Sequence, residues 1–323
     1  MYIANLNNCW FTNVGEGFID IGVYALFTKI KTSLDYIQYG ALSNMSNFYL
    51  KNLRSENNIK LSDLNTVRNN VIKNQVRISN YFYPDLIIAP GMFATKGFVN
   101  GDDNSEIAIM REIKSHGGEV GFLGLGCAEY SRKEADCFLK TLEKLNPLFV
   151  VTRDQKTYDL LNNYIECYQG IDCAFWIDEV YNPKGIKHKD YIISTFNRSD
   201  EPEDLCQHPE FIRPWHMQYF LTNKKTKFLR KKNIMISDSP YEYITWYANA
   251  KLVYTDLLHA TIISLLFNTP VKFYPVDKRS DAILSLSGLL KDQYGFLLLD
   301  LKILREIKDK EEEYIINKLR KMI

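Results

Sequence analysis

The chain has 323 residues, 46% of them hydrophobic, and its 40 Lys and Arg against 39 Asp and Glu leave a formal net charge of +1. That length supports one large or two ordinary domains with proper cores, and two are expected here. The near-neutral balance excludes a global pull toward nucleic acid, so no nucleic-acid partner is expected. The opening residues, Met-Tyr-Ile-Ala-Asn-Leu-Asn-Asn, lack the basic start and apolar stretch of a signal peptide. No apolar run approaches the ~20 residues of a spanning helix, so a soluble, cytoplasmic chain is expected. The cysteines, Cys9, Cys127, Cys137, Cys167, Cys173 and Cys206, contain no CxxC pair. They read as reduced thiols, with no disulfide, structural metal or cofactor expected.

In chain order, an apolar helical stretch over residues 18–30 follows a turn containing Asn13, Gly15 and Glu16. Glycine there permits close backbone approach, and an acid favours a helix N-terminus. Residues 85–91, 119–126 and 147–152 are short apolar runs bounded by Gly, Pro or charge, which predicts buried parallel strands. Helical patterns over 106–115, 132–145 and 157–164 alternate with them, giving a βαβαβ order and a doubly wound sheet. Residues 121–126 carry glycines as G-x-x-G-x-G, the wrong order for a dinucleotide fingerprint, and read as tight strand packing.

The polar stretch 178–189, with Pro and Gly, predicts the domain junction. Strands at 191–195, 232–237, 251–254 and 271–274 then repeat the theme, with helices at 241–249 and after Asp256. Residues 301–323, with mixed charge and apolar residues at helical spacing, predict a closing helix that packs one face on a sheet. The expected architecture is α/β: two Rossmann-like domains, 1–180 and 190–300, facing a cleft in a GT-B-like arrangement, closed by the helix 301–323.

Residues 250–274 are the most informative stretch. They read as strand, polar turn, apolar helix and second strand, with Asp256 and His259 at the turn. Ligands of open parallel sheets sit beyond the carboxyl ends of strands, where a helix N-terminus presents free N–H groups to an anion. His259 is the candidate general base, because imidazole titrates nearest neutrality. Asp256 is a candidate for catalysis and equally for capping the helix. Arg153, at the end of the 147–152 strand, can grip a carboxylate or phosphate through two parallel hydrogen bonds, or pair with Asp154. Lys278 and Arg279, after the 271–274 strand, place positive charge over the cleft or lie in a solvated loop. The run from Lys224 to Lys232 is ordinarily a solvated face; it also offers peripheral contact with anionic lipid or a polyanionic glycan. His208 and His216 flank an aromatic segment, residues 211–215, that could form an acceptor loop, though loop structure without a ligand is the better reading.

In order along the chain, Asn13-Val-Gly-Glu-Gly-Phe-Ile19, the 85–91 strand, Arg153-Asp154, Asp172-Cys-Ala-Phe175, Thr255-Asp-Leu-Leu-His-Ala260, Thr269-Pro270 and Lys278 resemble the motifs of the polysaccharide pyruvyl transferase family. The likeness covers roughly residues 10 to 290, and its order is more specific than any single motif. Two positions depart from the pattern: Glu16 stands where the family has Asp, and Leu257 where the closing element usually reads Arg-Leu-His. The resemblance implies transfer of a pyruvyl ketal from phosphoenolpyruvate to a sugar of a cell-surface glycan, free or lipid-linked. It implies His259 and Asp256 as catalytic residues, and Asn13, Gly15, Glu16, Arg153, Leu258, Lys278 and Arg279 as substrate-binding ones, without a metal. Because the donor arginine is replaced by Leu257, two alternatives stand beside it: a glycosyltransferase of similar architecture using a nucleotide sugar, and a non-catalytic glycan-binding or assembly subunit.

Overall fold

The computed structural model of the chain describes residues 1–7, 13–43, 83–91, 105–206, 208–216 and 232–323. The first half alternates β1 (Tyr2–Asn7), α1 (Val14–Ser33), β2 (Gln38–Ser43), β3 (Leu86–Pro90), α2 (Ser105–Ser115), β4 (Glu119–Leu125), α3 (Arg132–Leu145), β5 (Phe149–Thr152), α4 (Gln155–Leu161) and β6 (Tyr168–Gln169). Its strands form one parallel sheet in the order β2-β1-β3-β4-β5-β6. Successive side chains enter opposite layers. Ile87, Phe122 and Val150 pack with Phe138 and Leu142, whereas Leu86, Ile88, Leu123 and Val151 pack with Phe27 and Ile30. Covering both faces is why these strands read as unbroken apolar runs. The α3 boundaries match the sequence reading because Ser131 caps its first turn and Asn146 ends it in left-handed backbone at φ 43°.

A 3-10 segment, Cys173–Glu179, leads to the second half: β7 (Ile192–Thr195), α5 (Glu203–Cys206), β8 (Arg213–Pro214), β9 (Ile234–Met235), α6 (Pro240–Asn249), β10 (Leu252–Thr255), α7 (Leu258–Leu266), β11 (Val271–Phe273), α8 (Asp281–Leu284), β12 (Leu289–Lys291), β13 (Leu297–Leu299) and α9 (Leu301–Leu319). The second sheet runs β12-β13-β11-β10-β7, with β7, β10 and β11 parallel and the β12–β13 hairpin added antiparallel. The strand expected at 232–237 is shorter and lies elsewhere. Only Ile234–Met235 is extended, and it pairs with β8 in a separate ribbon, since Arg213 and Trp215 donate to the carbonyls of Asn233 and Met235.

The closing helix α9 returns to the first lobe and gives way at its end to a 3-10 turn, Arg320–Met322. Ile315, Ile316 and Leu319 enter the apolar layer that holds Ile3, Leu26 and Val151. Burying each contributes about 1.5–3 kcal/mol, against about 0–1 kcal/mol for a surface pair such as Lys29–Asp309. Apolar burial therefore anchors the helix. The Glu311 carboxylate adds a buried polar tie, accepting from the Ile171 backbone N–H at 2.9 Å and from Trp176 Nε1 at 3.3 Å. Among the described residues no helix is long and apolar enough to cross a membrane. Cys127, Cys137, Cys167, Cys173 and Cys206 are free thiols, while Cys9 lies outside the described residues.

Candidate functional site

At the end of β5 the chain turns into α4. Asp154 caps that helix, accepting from the Thr157 backbone N–H at 2.7 Å and from its hydroxyl at 3.0 Å. Arg153 points away from the cap and is 2% exposed; its Nη1 donates to Asp172 Oδ2 at 3.4 Å. Room for the guanidinium comes from Gly126, where a Cβ would stand 2.4 Å from Arg153 Nε. The last glycine of the G-x-x-G-x-G run thus clears space for a charged side chain, while Gly121 at its start lies against the Phe149 ring of β5.

Asp172 begins the 3-10 segment, its Oδ1 accepting from the Ala174 backbone N–H at 3.0 Å. Its other oxygen faces the second lobe, 3.8 Å from His259 Nε2. His259 sits in the first turn of α7 with a side chain 17% exposed, and its Nε2 is buried without a hydrogen-bond partner among the described residues. The ring lies against the first turn of α1: a Cβ at Gly15 would stand 2.3 Å from His259 Nδ1, and Phe18 meets the ring edge-on at 6.5 Å. Burial pulls the imidazole down to about 4, with Asp172 opposing and Arg153 and Arg198 adding to the depression. His259 is therefore neutral near pH 7 and faces a carboxylate that stabilises any proton it takes up.

The Asn13 turn closes this side of the site. Asn13 caps α1 by accepting from the Gly15 backbone N–H at 3.1 Å, Glu16 lies in the first helical turn, and the Val14 N–H donates to the His216 carbonyl. His216 is buried, its Nε2 2.7 Å from the Tyr247 hydroxyl, and burial lowers it to about 3. Phe211 and Trp215 are also buried, and Arg213 is held by Glu201 at 3.1 Å. This aromatic segment packs the second lobe.

Of the two roles expected for Asp256, catalysis and capping, the structure rules out the cap, since the N-cap of α7 is Leu257. Asp256 is 2% exposed, and its carboxylate accepts from the backbone N–H groups of Asn197, Arg198 and Ser199 and from the Ser199 hydroxyl. It pins the loop that follows β7. Leu257 stands at the N-cap of α7, where its hydrocarbon side chain offers no cap bond, while the preceding carboxylate is turned toward that loop. Leu257 is 6% exposed within the apolar cluster of the second lobe, and Leu258 packs against the same cluster.

The pinned loop presents Arg198, whose Nη1 pairs with Asp277. Arg279 reaches the same carboxylate, with Nε at 3.0 Å. Burial raises the Asp277 carboxyl, while Arg198 and then Arg153 draw it down, so the three cations and this acid share one region. Lys278 turns to the rim of the first lobe and pairs with Glu129 at 3.3 Å, both well exposed. Beside Arg153 a cavity of about 220 Å³ opens between Gln155, Tyr168, Ser285 and Lys310.

Sequence reasoning passed over Asp172 as a site residue and missed Arg198 altogether. Each lies three residues past a strand end, the signal that could have found them. Among the described residues no cluster of His, Cys, Asp or Glu could hold a metal ion. Of the basic run, residues 224–231 lie outside the described residues.

A family model described as polysaccharide pyruvyl transferase matches residues 13–276. No curated protein matches the chain by sequence. Among solved structures it is similar to UDP-GlcNAc 2-epimerase from Neisseria meningitidis bound to UDP-GlcNAc, at 12% identity and a TM-score of 0.51 over 88% of this chain and 85% of that one. It is similar to a putative UDP-N-acetylglucosamine 2-epimerase from Listeria monocytogenes, at 10% identity and a TM-score of 0.51 over 88% and 81%. S. aureus MnaA, solved with UDP, gives 10% identity and a TM-score of 0.50 over 98% and 87%. Identities this low speak for the fold alone, the GT-B-like pairing of two Rossmann-like lobes.

Proposed function

We propose, since the chain belongs to the polysaccharide pyruvyl transferase family, that it transfers a pyruvyl group from phosphoenolpyruvate to two hydroxyls of a glycan sugar. The observation that carries this reading is the convergence on Asp172 of Arg153 from the first lobe, at 3.4 Å, and His259 from the second, at 3.8 Å. The reaction needs cations for the donor's carboxylate and phosphate, and a neutral base beside a group that stabilises the resulting cation.

In this scheme one sugar hydroxyl bonds to C2 of the enol while C3 takes a proton and becomes a methyl group. The second hydroxyl then bonds to C2, the C–O bond to phosphate breaks, and its proton departs with the phosphate. His259 takes the proton of the attacking hydroxyl, and Asp172 stabilises the imidazolium. Arg153 and Arg279 bind the donor, with Lys278 at the rim. Asp256 contributes by fixing the loop over the cleft, and Asn13, Gly15 and Glu16 line the opposite wall. The acceptor is a carbohydrate, free or lipid-linked, met at the cytoplasmic side or at a membrane surface.

The buried Leu257, where the resemblance expects a donor arginine, favours a second reading in which the donor is a nucleotide sugar whose diphosphate rests on backbone N–H groups. A thermal-shift screen separates the two, because stabilisation grows as RT ln(1 + [L]/Kd). Phosphoenolpyruvate should raise Tm in the parent protein and lose that effect in Arg153→Ala. Stabilisation by a nucleotide sugar alone would replace the first reading with the second.

A further inference from the structure

We propose that Arg198 supplies the anion-binding guanidinium that position 257 lacks, and that Asp277 is an internal placeholder which the phosphate of the donor displaces from Arg198 and Arg279. The inference rests on the transferase reading for the identity of the donor, but its geometry stands on the side chains themselves.

Three observations carry it. First, Leu257 cannot serve, because its side chain lies inside the apolar cluster of the second lobe. Second, the backbone of Arg198 is fixed by Asp256, which accepts from its N–H at 2.8 Å and from both neighbours, so the guanidinium springs from a preorganised loop beside the first turn of α7. Third, the Arg198–Asp277 pair differs in kind from the Arg153–Asp172 pair. Arg153 and Asp172 are 1% and 2% exposed, whereas Arg198 and Asp277 are 31% and 36% exposed, within reach of a small solute before any side chain moves.

Two guanidinium groups converging on one half-exposed carboxylate form an anion site already filled by the protein's own acid. Such a half-exposed pair contributes little net stability, so a phosphate dianion, with more charge and more acceptor oxygens, exchanges with it readily. Asp277 offsets the repulsion between the two arginines and swings out as the donor enters. Arg153 adds its charge to the same field, drawing the Asp277 carboxyl down against the larger, upward effect of burial.

The test is calorimetric titration of inorganic phosphate, phosphoenolpyruvate and UDP into the parent protein, Arg198→Ala, Arg198→Gln and Asp277→Asn, with melting curves to check folding. Arg198→Ala and Arg198→Gln should weaken phosphate and phosphoenolpyruvate by about 10–100-fold, the loss of one charge-assisted contact. Asp277→Asn should tighten both by about tenfold on the same conversion, since the competing carboxylate is gone. Unchanged affinity in Asp277→Asn, or unchanged or tighter binding in the folded Arg198 variants, would overturn the proposal even if phosphoenolpyruvate binds the parent well. If UDP follows the predicted pattern and phosphoenolpyruvate binds none of the proteins, the anion site stands and the pyruvyl reading fails. Should the Arg198 variants not fold, the Asp277→Asn result alone decides.

Discussion

Gly15→Ala is the sharpest probe of the site, because it adds one methyl group at the point where the two lobes meet the imidazole. The new Cβ would stand 2.3 Å from His259 Nδ1, 3.0 Å from Cγ and 3.2 Å from Cε1. Ordinary contact begins near 3.4 Å, so the ring must retreat by about 1 Å. It has little room to do so: Phe18 stands edge-on to it and Asp172 lies beyond Nε2. Overpacking of this kind costs about 1–3 kcal/mol, and alanine's better helix propensity returns only about 0.5–1 kcal/mol. The expected net loss is thus about 1–2 kcal/mol in a urea melt. Activity should suffer more, since a displacement of about 1 Å in a catalytic group lowers kcat by about 100-fold. The assay is phosphate release from phosphoenolpyruvate with a glycan acceptor, alongside the melt. A Gly15→Ala protein with parental kcat/KM would refute the placement of His259 as base.

Gly126→Ala should act in parallel on the donor side, since its Cβ would fall 2.4 Å from Arg153 Nε; a raised KM with a smaller change in kcat distinguishes it from Gly15→Ala. Asp256→Ala leaves the N–H groups of Asn197, Arg198 and Ser199 without their acceptor, and a loss of about 3 kcal/mol or more is expected in chemical denaturation. For pH, the folded-state values of His259 and His216, about 4 and about 3, lie below the ordinary 6.5, so unfolding takes up protons in that window. Their contribution falls as pH drops below 6.5, by about 3 kcal/mol for His259 alone. Glu311, raised from 4.5 to about 7 by burial, has the opposite sign. Its native form holds the proton longer, so stability falls as pH rises from 4.5 to 7, again by about 3 kcal/mol. Glu311→Gln should therefore make stability rise more steeply between pH 4.5 and 6.5, and His259→Gln should flatten it. Urea melts at four pH values across this range check both, and equal slopes in all three proteins would contradict these assignments.

Much of the first sheet was legible because both of its faces are buried. The strands around Ile87, Phe122 and Val150 announce themselves as apolar runs, and α3 carries its own boundaries in Ser131 and Asn146. The hairpin β12–β13 was not read, because its strands are short and its turn is set by Asp292 accepting from the N–H groups of Tyr294 and Phe296. The extended segment at Ile234 looked like a sheet strand, but its pairing with β8 depends on carbonyls whose position only the folded chain fixes.

The sequence by itself determined the alternation of elements, the family, and the side chains able to carry charge or a proton, because periodicity and residue chemistry are local properties. Only the tertiary structure decided which of them meet. Asp172 joins Arg153 to His259 across 106 residues of chain, and Asp256 is committed to a loop some sixty residues earlier, a partnership no spacing announces. Pairings between distant strand ends depend on how two lobes close on each other, and that is set by the summed burial of both cores rather than by any motif.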